Sequence, residues 1–580
     1  MTYDVRPEIT VSGTAFAGWQ AIRTTPIVTD NPSLRIECYP GVDVTGVLDA
    51  FDPGHEKLHV DTHDLRLPPN ERADLLSPFL TDDRVFGTFA PPDTAPLEIA
   101  DFLDDVLVSS VRDCINTHVR DGGSVLIAGP GAAYVATGTE LDAAPLIYAD
   151  MPRWEIQTRL RAGRGTWLAP EPFDDMLRAF KLGYFVEWRS ADRCKMALFD
   201  DVDLFLDTTD PENPLATTGE DMRRALGAVV QRPFRTVPFF DPGVWGGQWM
   251  KREFDLPDGP DNYAWGFDCV PEENSLLLAF DGGTLEVPAI NVVLRHPEDL
   301  LGKPVFQRFG AEFPIRFDFL DTIEGGNLSL QVHPDADYAR DRFGLSYTQD
   351  ESYYILAAEP DAHVYLGLTD GTSPQHFFDA LHEAQEGGGD LDVARYVNRL
   401  PTARHDHFSI PSGTIHCAGR GCMVLEISAT PYIFTFKLWD WGRLGLDGRP
   451  RPIHAEHGQN VLKGDRDRTW VDAEILEQSE ILVRDGTYVE ERTGLHASEF
   501  IETRRHWFDS EVQQETGDSV HVLNLVQGDG AIIESPTAAF KPFVVGFAET
   551  FIIPATVGAY TFRPVTPGQA CGMINAAVRT

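Results

Sequence analysis

Between Leu34 and about Pro233, short apolar runs alternate with stretches of helical spacing. Leu34-Arg35-Ile36-Glu37-Cys38-Tyr39 predicts a strand ending at Pro40-Gly41, after which Val44, Val47, Leu48 and Phe51 recur at the intervals of an amphipathic helix. A longer helix is predicted over 97–120, a buried strand over 124–128, another strand over 145–150 and an amphipathic helix over 153–161. Residues 218–230 predict a further helix, with Thr218 as N-cap and Asp221 three residues on. Strands alternating with helices imply a mainly parallel sheet. Residues 1–34 are polar and without period, and predict at most a short strand or an arm.

From Arg235 the β content rises. Phe313–Leu320 alternates in the strand manner, and Leu328–Val332, Tyr353–Leu356 and Met423–Ile427 are short β-rich runs. Helical spacing returns between Ser373 and Leu400: Ser373 caps, Pro374 takes the first helical position, and Gly387-Gly388-Gly389 separates a second helix over 391–400. A second β-rich region follows about Asn460. The expected organisation is an α/β domain over 1–233, a mainly β domain over 234–462 with a helical insertion at about 373–400, and a further β domain over 463–580.

Composition narrows the setting. No run approaches 18 apolar residues and no basic stretch precedes an apolar one at the N-terminus, which argues against a membrane span or secretory signal. Seven scattered cysteines without a C-x-x-C pair suggest neither a disulfide framework nor a zinc knuckle, and fit a reducing cytoplasm. Ninety acidic residues face 48 basic ones, giving a net charge of −42, and only eight of the basic residues are lysine. Self-repulsion of that size needs salt screening. The bias resembles cytoplasmic proteins of extreme halophiles, an acidic mesophilic protein being the alternative. Nucleic acid and anionic membranes are poor partners for such a field.

Two stretches carry candidate chemistry. Gly129–Gly138 follows a strand and is rich in glycine, but it lacks the G-x-x-x-x-G-K-[ST] lysine that reaches terminal phosphates. The stronger stretch runs from Gly325 to His454. Gln331 and His333 sit two apart in a strand and so share a face. Glu351 precedes one β-rich run, and a Pro-x-Gly turn delivers His416 to the start of another. Two imidazoles, a carboxylate and an amide oxygen form a mixed N/O set suited to a divalent first-row metal.

Asn327–Pro334 is similar to the LSxQxHP signature of type I phosphomannose isomerases, which belong to the cupins. Glu351-Ser352-Tyr353-Tyr354-Ile355-Leu356 resembles that family's E-x-W-Y-I-L strand, Ile410–His416 its P-x-G-T-x-H segment, and Val424-Leu425-Glu426 its L-E strand. The resemblance continues through Trp439–Arg443 and Gly448–His454, with Trp245-Gly246-Gly247 and Phe313-Pro314 upstream, and covers roughly 235–580. It implies a double-cupin (jelly-roll) region. Gln331, His333, Glu351 and His416 would hold one divalent ion, zinc by preference. Mannose 6-phosphate and fructose 6-phosphate would interconvert by proton transfer between C1 and C2. Glu426, Arg443 and Lys437 would be the catalytic candidates, and Arg316, Arg451, His454 and Ser329 the substrate-binding ones. The region around Phe551–Tyr560 echoes the Pro-x-Gly turn without its histidine, implying a second barrel lacking metal ligands. Tyr148–Arg153, with Arg159, Arg161 and Arg164, resembles uridine-kinase-type enzymes, implying a degenerate kinase-like N-terminal domain. The partner implied is a small sugar phosphate, and a homodimer is the expected assembly.

Each assignment has a plainer alternative. Asp350 and Glu359 compete with Glu351; Glu426 could be a buried carboxylate paired with arginine; Arg443 and Arg451 could merely salt-bridge an acidic surface. Three positions depart from the family pattern: Asp318 and Gln349 stand where it has lysine, and Lys437 where it has arginine. Lysine keeps charge but loses bidentate recognition of phosphate. Two other readings therefore stay open: a cupin enzyme of different chemistry, and a non-catalytic protein that senses sugar phosphates.

Overall fold

The computed structural model describes residues 2–91, 94–169, 172–173, 175–387, 390–429, 434–445, 448, 451, 453–476, 478–494 and 496–579. They form two compact units: residues 8–229 with 275–296, and residues 1–7, 230–274 and 297–580. Where the sequence suggests one boundary at 233/234, the chain returns to the first unit for residues 275–296.

The strands of the N-terminal part are β1 (Glu8–Ala17), β2 (Leu34–Cys38), β3 (Leu58–Asp61), β4 (Val125–Gly129), β5 (Leu146–Asp150), β6 (Leu204–Asp207) and β7 (Leu215–Thr218). Strands β8 (Phe239–Asp241) and β9 (Trp265–Cys269) follow in the second unit, before β10 (Ser275–Asp281) and β11 (Gly283–Pro288) rejoin the first. The first unit is a nine-stranded sheet in the order β11-β10-β1-β7-β6-β5-β2-β4-β3. Its β6-β5-β2-β4-β3 portion is parallel, as expected from the alternation. All residues of β4 and β5 are buried, which is why both read as near-continuous apolar runs.

Two local differences have physical causes. Residues 8–17, which carry no period, form a strand because β1 pairs with β10 and β7, far away in sequence. The helix expected over 97–120 is instead a 3-10 turn, Ile99–Phe102, and an α-helix, Asp105–Arg120. Asp104 separates them, its side chain accepting from the amides of Val106 and Leu107. The helix Gly219–Val229 starts as expected, the Asp221 amide donating to Thr218 Oγ1 at 3.1 Å.

This unit buries an ion pair at the end of β5. Lys195 Nζ donates to both Asp150 oxygens at 2.9 Å and to Asn291 Oδ1 at 3.0 Å. Lys195→Met is expected to lower unfolding stability by about 3–5 kcal/mol, because Asp150 would stay buried without its counter-charge. A shift of the denaturant midpoint below that of the parent chain checks it, and an unchanged midpoint would refute it.

The second unit continues with β12 (Arg316–Asp321), β13 (Leu330–Val332), β14 (Glu351–Ala358), β15 (His363–Leu368), β16 (Val397–Pro401), β17 (His407–Ile410), β18 (His416–Ala418), β19 (Cys422–Ser428) and β20 (Phe436–Trp439). They form a six-stranded sheet, β17-β14-β19-β12-β9-β8, and a five-stranded one, β16-β15-β18-β13-β20. The helix Pro374–Gly387 is capped by Ser373, whose Oγ accepts from the His376 amide; Gly388 and Gly389 lie outside the described residues. The second helix expected over 391–400 is absent. A 3-10 turn, Val393–Arg395, leads into β16, which pairs with β15, and Asn398 Nδ2 donates to the carbonyls of Leu366, Gly367 and Leu368. Sheet pairing overrides the local helical spacing.

Residues 463–474 also belong with these strands: the Leu368 amide donates to the Arg466 carbonyl, and the helix Arg468–Glu474 follows. The last pair of sheets begins at β21 (Glu480–Asp485) and continues through β22 (Tyr488–Arg492), β23 (Ile501–Phe508), β24 (Val512–Glu515), β25 (His521–Gln527), β26 (Gly530–Glu534), β27 (Phe543–Gly546), β28 (Thr550–Ile553), β29 (Ala559–Pro564) and β30 (Cys571–Val578). Their orders are β21-β22-β23-β30-β25-β28 and β24-β29-β26-β27. Leu523, Leu525, Phe551, Ile553 and Met573 from the first meet Ile533, Val545, Tyr560 and Phe562 from the second in one buried apolar core. Among the described residues, no helix is long and apolar enough to cross a membrane.

Candidate metal centre

The two sheets of the central region meet at four side chains. In the five-stranded sheet, β13 and β18 align Gln331 with His416, and His333 lies two residues beyond Gln331. The Gly413 amide donates to the His333 carbonyl at 2.9 Å, fixing the turn before His416. Gly413 has φ +84°, and a Cβ there would press on the Lys463 side chain, so the turn requires glycine. In the six-stranded sheet, Glu351 opens β14.

Both imidazoles turn Nε2 toward Glu351, His333 at 3.0 Å and His416 at 2.8 Å, and all three side chains are buried. Their other nitrogens are committed to carbonyls: His333 Nδ1 donates to Phe434 O at 2.8 Å and His416 Nδ1 to Thr414 O at 2.9 Å. That turns Nε2 of each ring inward, where it offers a lone pair whenever the ring is neutral. His333 Nε2 and Glu351 Oε1 have no hydrogen-bond partner. Converging lone pairs in a dry site repel unless a cation or protons lie between them, so the donor set fits a metal. The Gln331 amide nitrogen is 3.2 Å from His416 Nε2, and a half-turn of the amide presents its oxygen to the same point.

The electrostatics agree. Burial would raise the Glu351 carboxyl, but the two imidazoles outweigh it and hold the group well below the usual carboxylate range. Burial would likewise lower His333, and the Glu351 carboxylate reverses this. The competitors for Glu351 are elsewhere: Asp350 accepts from the Ser412 amide, and Glu359 lies past the end of β14.

Gln349 plays a part that sequence reasoning missed. It stands at a position read only as a lost lysine, yet Nε2 donates to Glu351 Oε2 at 2.9 Å while Oε1 accepts from the Phe434 amide. It thus orients the Glu351 carboxylate. Gln349→Ala is expected to weaken divalent-metal affinity about 10–100-fold. Titration of the stripped protein with a metal-sensitive dye checks this, and unchanged affinity would count against the orienting role.

Beside this cluster runs a row of buried charges. The register aligns Tyr353, Glu426 and Asp318 across β14, β19 and β12, and Glu351, Ser428 and Arg316 one pleat away. Asp318 pairs with Arg316, which also lies 3.9 Å from Glu273. Burial, then the Glu351 and Asp318 carboxylates, push Glu426 well above its ordinary value, Arg316 offsetting only part. Asp318 is itself raised by burial to about 6, against the pull of Arg316.

The remaining candidates gather on Asp440. This buried carboxylate accepts from Ser329 Oγ at 2.8 Å, Arg443 at 2.6 Å and Arg451 at 2.7 Å. The two arginines therefore hold a buried carboxylate and not the acidic surface. Lys437 pairs in register with Gln331, and its amide approaches His454 Nδ1 at 3.3 Å. Desolvation, with Arg451 nearby, brings the Lys437 ammonium down to about 8. Asp440 lies inside the Trp439–Arg443 motif, so its position was legible and its partners were not. Arg449, Pro450 and Pro452 of the last motif lie outside the described residues. Among those residues one other group could hold a metal, Asp49, His55 and His59; it is largely exposed, and His59 already faces Asp52 at 2.9 Å.

Residues 18–231 match a family model described as a domain of unknown function, DUF8485. The chain is 24% identical over 327 residues to the mannose-6-phosphate isomerase of Streptococcus mutans, spanning 55% of this chain and 91% of that protein. It is 27% identical over 232 residues to the probable mannose-6-phosphate isomerase GmuF of Bacillus subtilis, spanning 40% and 68%. Among solved structures, the mannose 6-phosphate isomerase of Bacillus subtilis superposes with a TM-score of 0.47 at 20% identity, covering 60% of this chain and 99% of that one. These curated homologues are named mannose-6-phosphate isomerase.

Proposed function

We propose that the chain is a metal-dependent aldose–ketose isomerase interconverting mannose 6-phosphate and fructose 6-phosphate. The observation that carries this is the buried His333–Glu351–His416 cluster with Gln331, built from the residues that match the isomerase motifs. On this reading the two pairs of sheets are cupin barrels. Gln331, His333, Glu351 and His416 would hold one divalent ion, zinc by preference, which would supply Lewis-acid polarisation of the sugar's carbonyl or hydroxyl oxygen. Glu426 moves the proton between C1 and C2, its raised proton affinity suiting a group that both accepts and returns a proton. Lys437, Arg443 and Arg451 face the phosphate, with Asp440 and Ser329 fixing the two guanidinium groups; Arg316 holds Asp318, and His454 buttresses Lys437.

Conversion of mannose 6-phosphate to fructose 6-phosphate in molar KCl, before and after chelation and with zinc, manganese or cobalt restored, tests the reading. Turnover that follows the metal supports it. A folded, metal-loaded protein without turnover sinks it, and Asp318, which ties up Arg316 where the family has a lysine, would then point to another sugar substrate.

The N-terminal unit is read as a degenerate, non-catalytic kinase-like domain. The backbone amides that could cradle a phosphate are already used: Gly131 and Ala133 donate to Glu37, and Gly46 to Asp43. The setting proposed is a salt-rich cytoplasm, and the assembly a homodimer. With a net charge of −42, the melting temperature is expected to rise steadily from low to molar KCl. A flat or falling profile in a thermal-melt series would remove the halophilic reading.

A further inference from the structure

The C-terminal pair of sheets holds a second polar site, at the opposite extreme from an apolar plug. Its interior is apolar at one end, where Leu525, Phe551 and Met573 pack. At the other end a cavity of about 440 Å³ opens, lined by Arg504, Gln514, Thr516, His521, Asn575 and Arg579 among others. That volume lies within the range of small-molecule sites.

The cavity is backed by an ordered hydrogen-bond network. His521 Nδ1 meets Tyr560 OH at 2.9 Å and Asn575 Nδ2 at 3.2 Å. Tyr488 OH meets His506 Nδ1 at 3.0 Å, donates to Glu490 and accepts from Gln514 Nε2 at 3.1 Å. One member is incomplete: Asn575 is 4% exposed, and its Oδ1 has no hydrogen-bond partner. An unpaired buried carbonyl costs about 1–3 kcal/mol, and a ligand hydroxyl would satisfy it.

The charges around the cavity balance in number, Glu502 and Glu515 against Arg504 and Arg579. Arg504 donates to Glu502 and Glu490 at 2.7 and 2.8 Å. Arg579 donates to the Ala497 carbonyl and lies 3.7 Å from Glu502. Burial holds His521 down to about 3, so its imidazole is neutral. Carboxylates thus accompany the arginines, while amides, hydroxyls and a neutral imidazole supply donors and acceptors.

We infer that this cavity binds a neutral polyhydroxylated small molecule, of the chemical class of an unphosphorylated monosaccharide, with Asn575 Oδ1 accepting from a ligand hydroxyl. The site lies apart from the metal-cluster residues and does not depend on the isomerase reading.

Calorimetric titration of the full-length, metal-stripped protein with D-mannose, D-fructose and mannose 6-phosphate tests it, stripping the metal to silence the first site. At least one neutral sugar should bind saturably at one site, and mannose 6-phosphate about tenfold or more weakly. Asn575→Leu should weaken sugar binding about tenfold, the loss of one buried hydrogen bond. Gln514→Ala, at a partly exposed position that tolerates truncation, should weaken it measurably if Asn575→Leu fails to fold. In the metal-restored protein, Gln514→Ala should leave metal content unchanged. Absence of saturable binding by both neutral sugars overturns the proposal, as does affinity unaffected by both variants. Mannose 6-phosphate binding here as tightly as mannose overturns the neutral ligand class.

Discussion

Replacing His416 with alanine is expected to lower isomerase turnover by about a thousandfold or more and to remove the bound metal. His416 contributes one of two inward-facing Nε2 atoms, and without it Glu351 keeps His333 and its hydrogen bond from Gln349. Losing Lewis-acid stabilisation worth about 4 kcal/mol corresponds to a thousandfold in rate. Metal content measured by emission spectroscopy should fall from one ion per chain toward zero. The thermal stabilisation that added metal gives the parent protein, about 2.7 kcal/mol at a hundred times the dissociation constant, should vanish too. Full turnover in the variant would exclude His416 as a ligand. Loss of turnover with metal retained would leave His416 a role in orientation only.

Three members of that cluster were legible from local rules: the two-residue period of a strand puts Gln331 and His333 together, and the Pro-x-Gly turn delivers His416, whereas only the motif resemblance set Glu351 apart from Asp350 and Glu359. What was not legible depends on pairings between distant segments. Gln349 gives no sign in sequence that the amide of Phe434 anchors it beside Glu351, and Asp440 none that it collects Ser329 from the β12–β13 connection together with Arg443 and Arg451. The same divide runs through the fold. The helix Arg153–Arg161 and strands β2, β4 and β5 follow from local periodicity. Strands β1 and β16 do not, since their partners β10 and β15 decide their state. The helical spacing of Val393, Val397 and Leu400 is real, and register with β15 overrules it. The polar end of the last pair of sheets escaped for a related reason: His506 and His521 come from β23 and β25, which carry no shared motif.

Glu426→Gln should separate proton transfer from metal binding. Glutamine preserves the volume of this buried side chain but removes the group that can carry a proton, so kcat should fall about 10²–10⁴-fold while metal content stays at one ion per chain. KM for mannose 6-phosphate should change little, because Lys437, Arg443 and Arg451 are untouched. A companion substitution, Asp318→Asn, tests how the row of charges sets the base. Asp318 pushes Glu426 upward, and it also occupies Arg316, which pulls the other way. Removing that carboxylate takes away the first influence and frees the second, so both changes lower the proton affinity of Glu426. The acidic limb of the kcat/KM profile should therefore move to lower pH in Asp318→Asn, since the base deprotonates earlier. If Glu426→Gln retains turnover, or the acidic limb moves to higher pH, the proton is carried elsewhere. The search for its carrier would then begin with Lys437, whose ammonium is already brought down to about 8 beside Gln331.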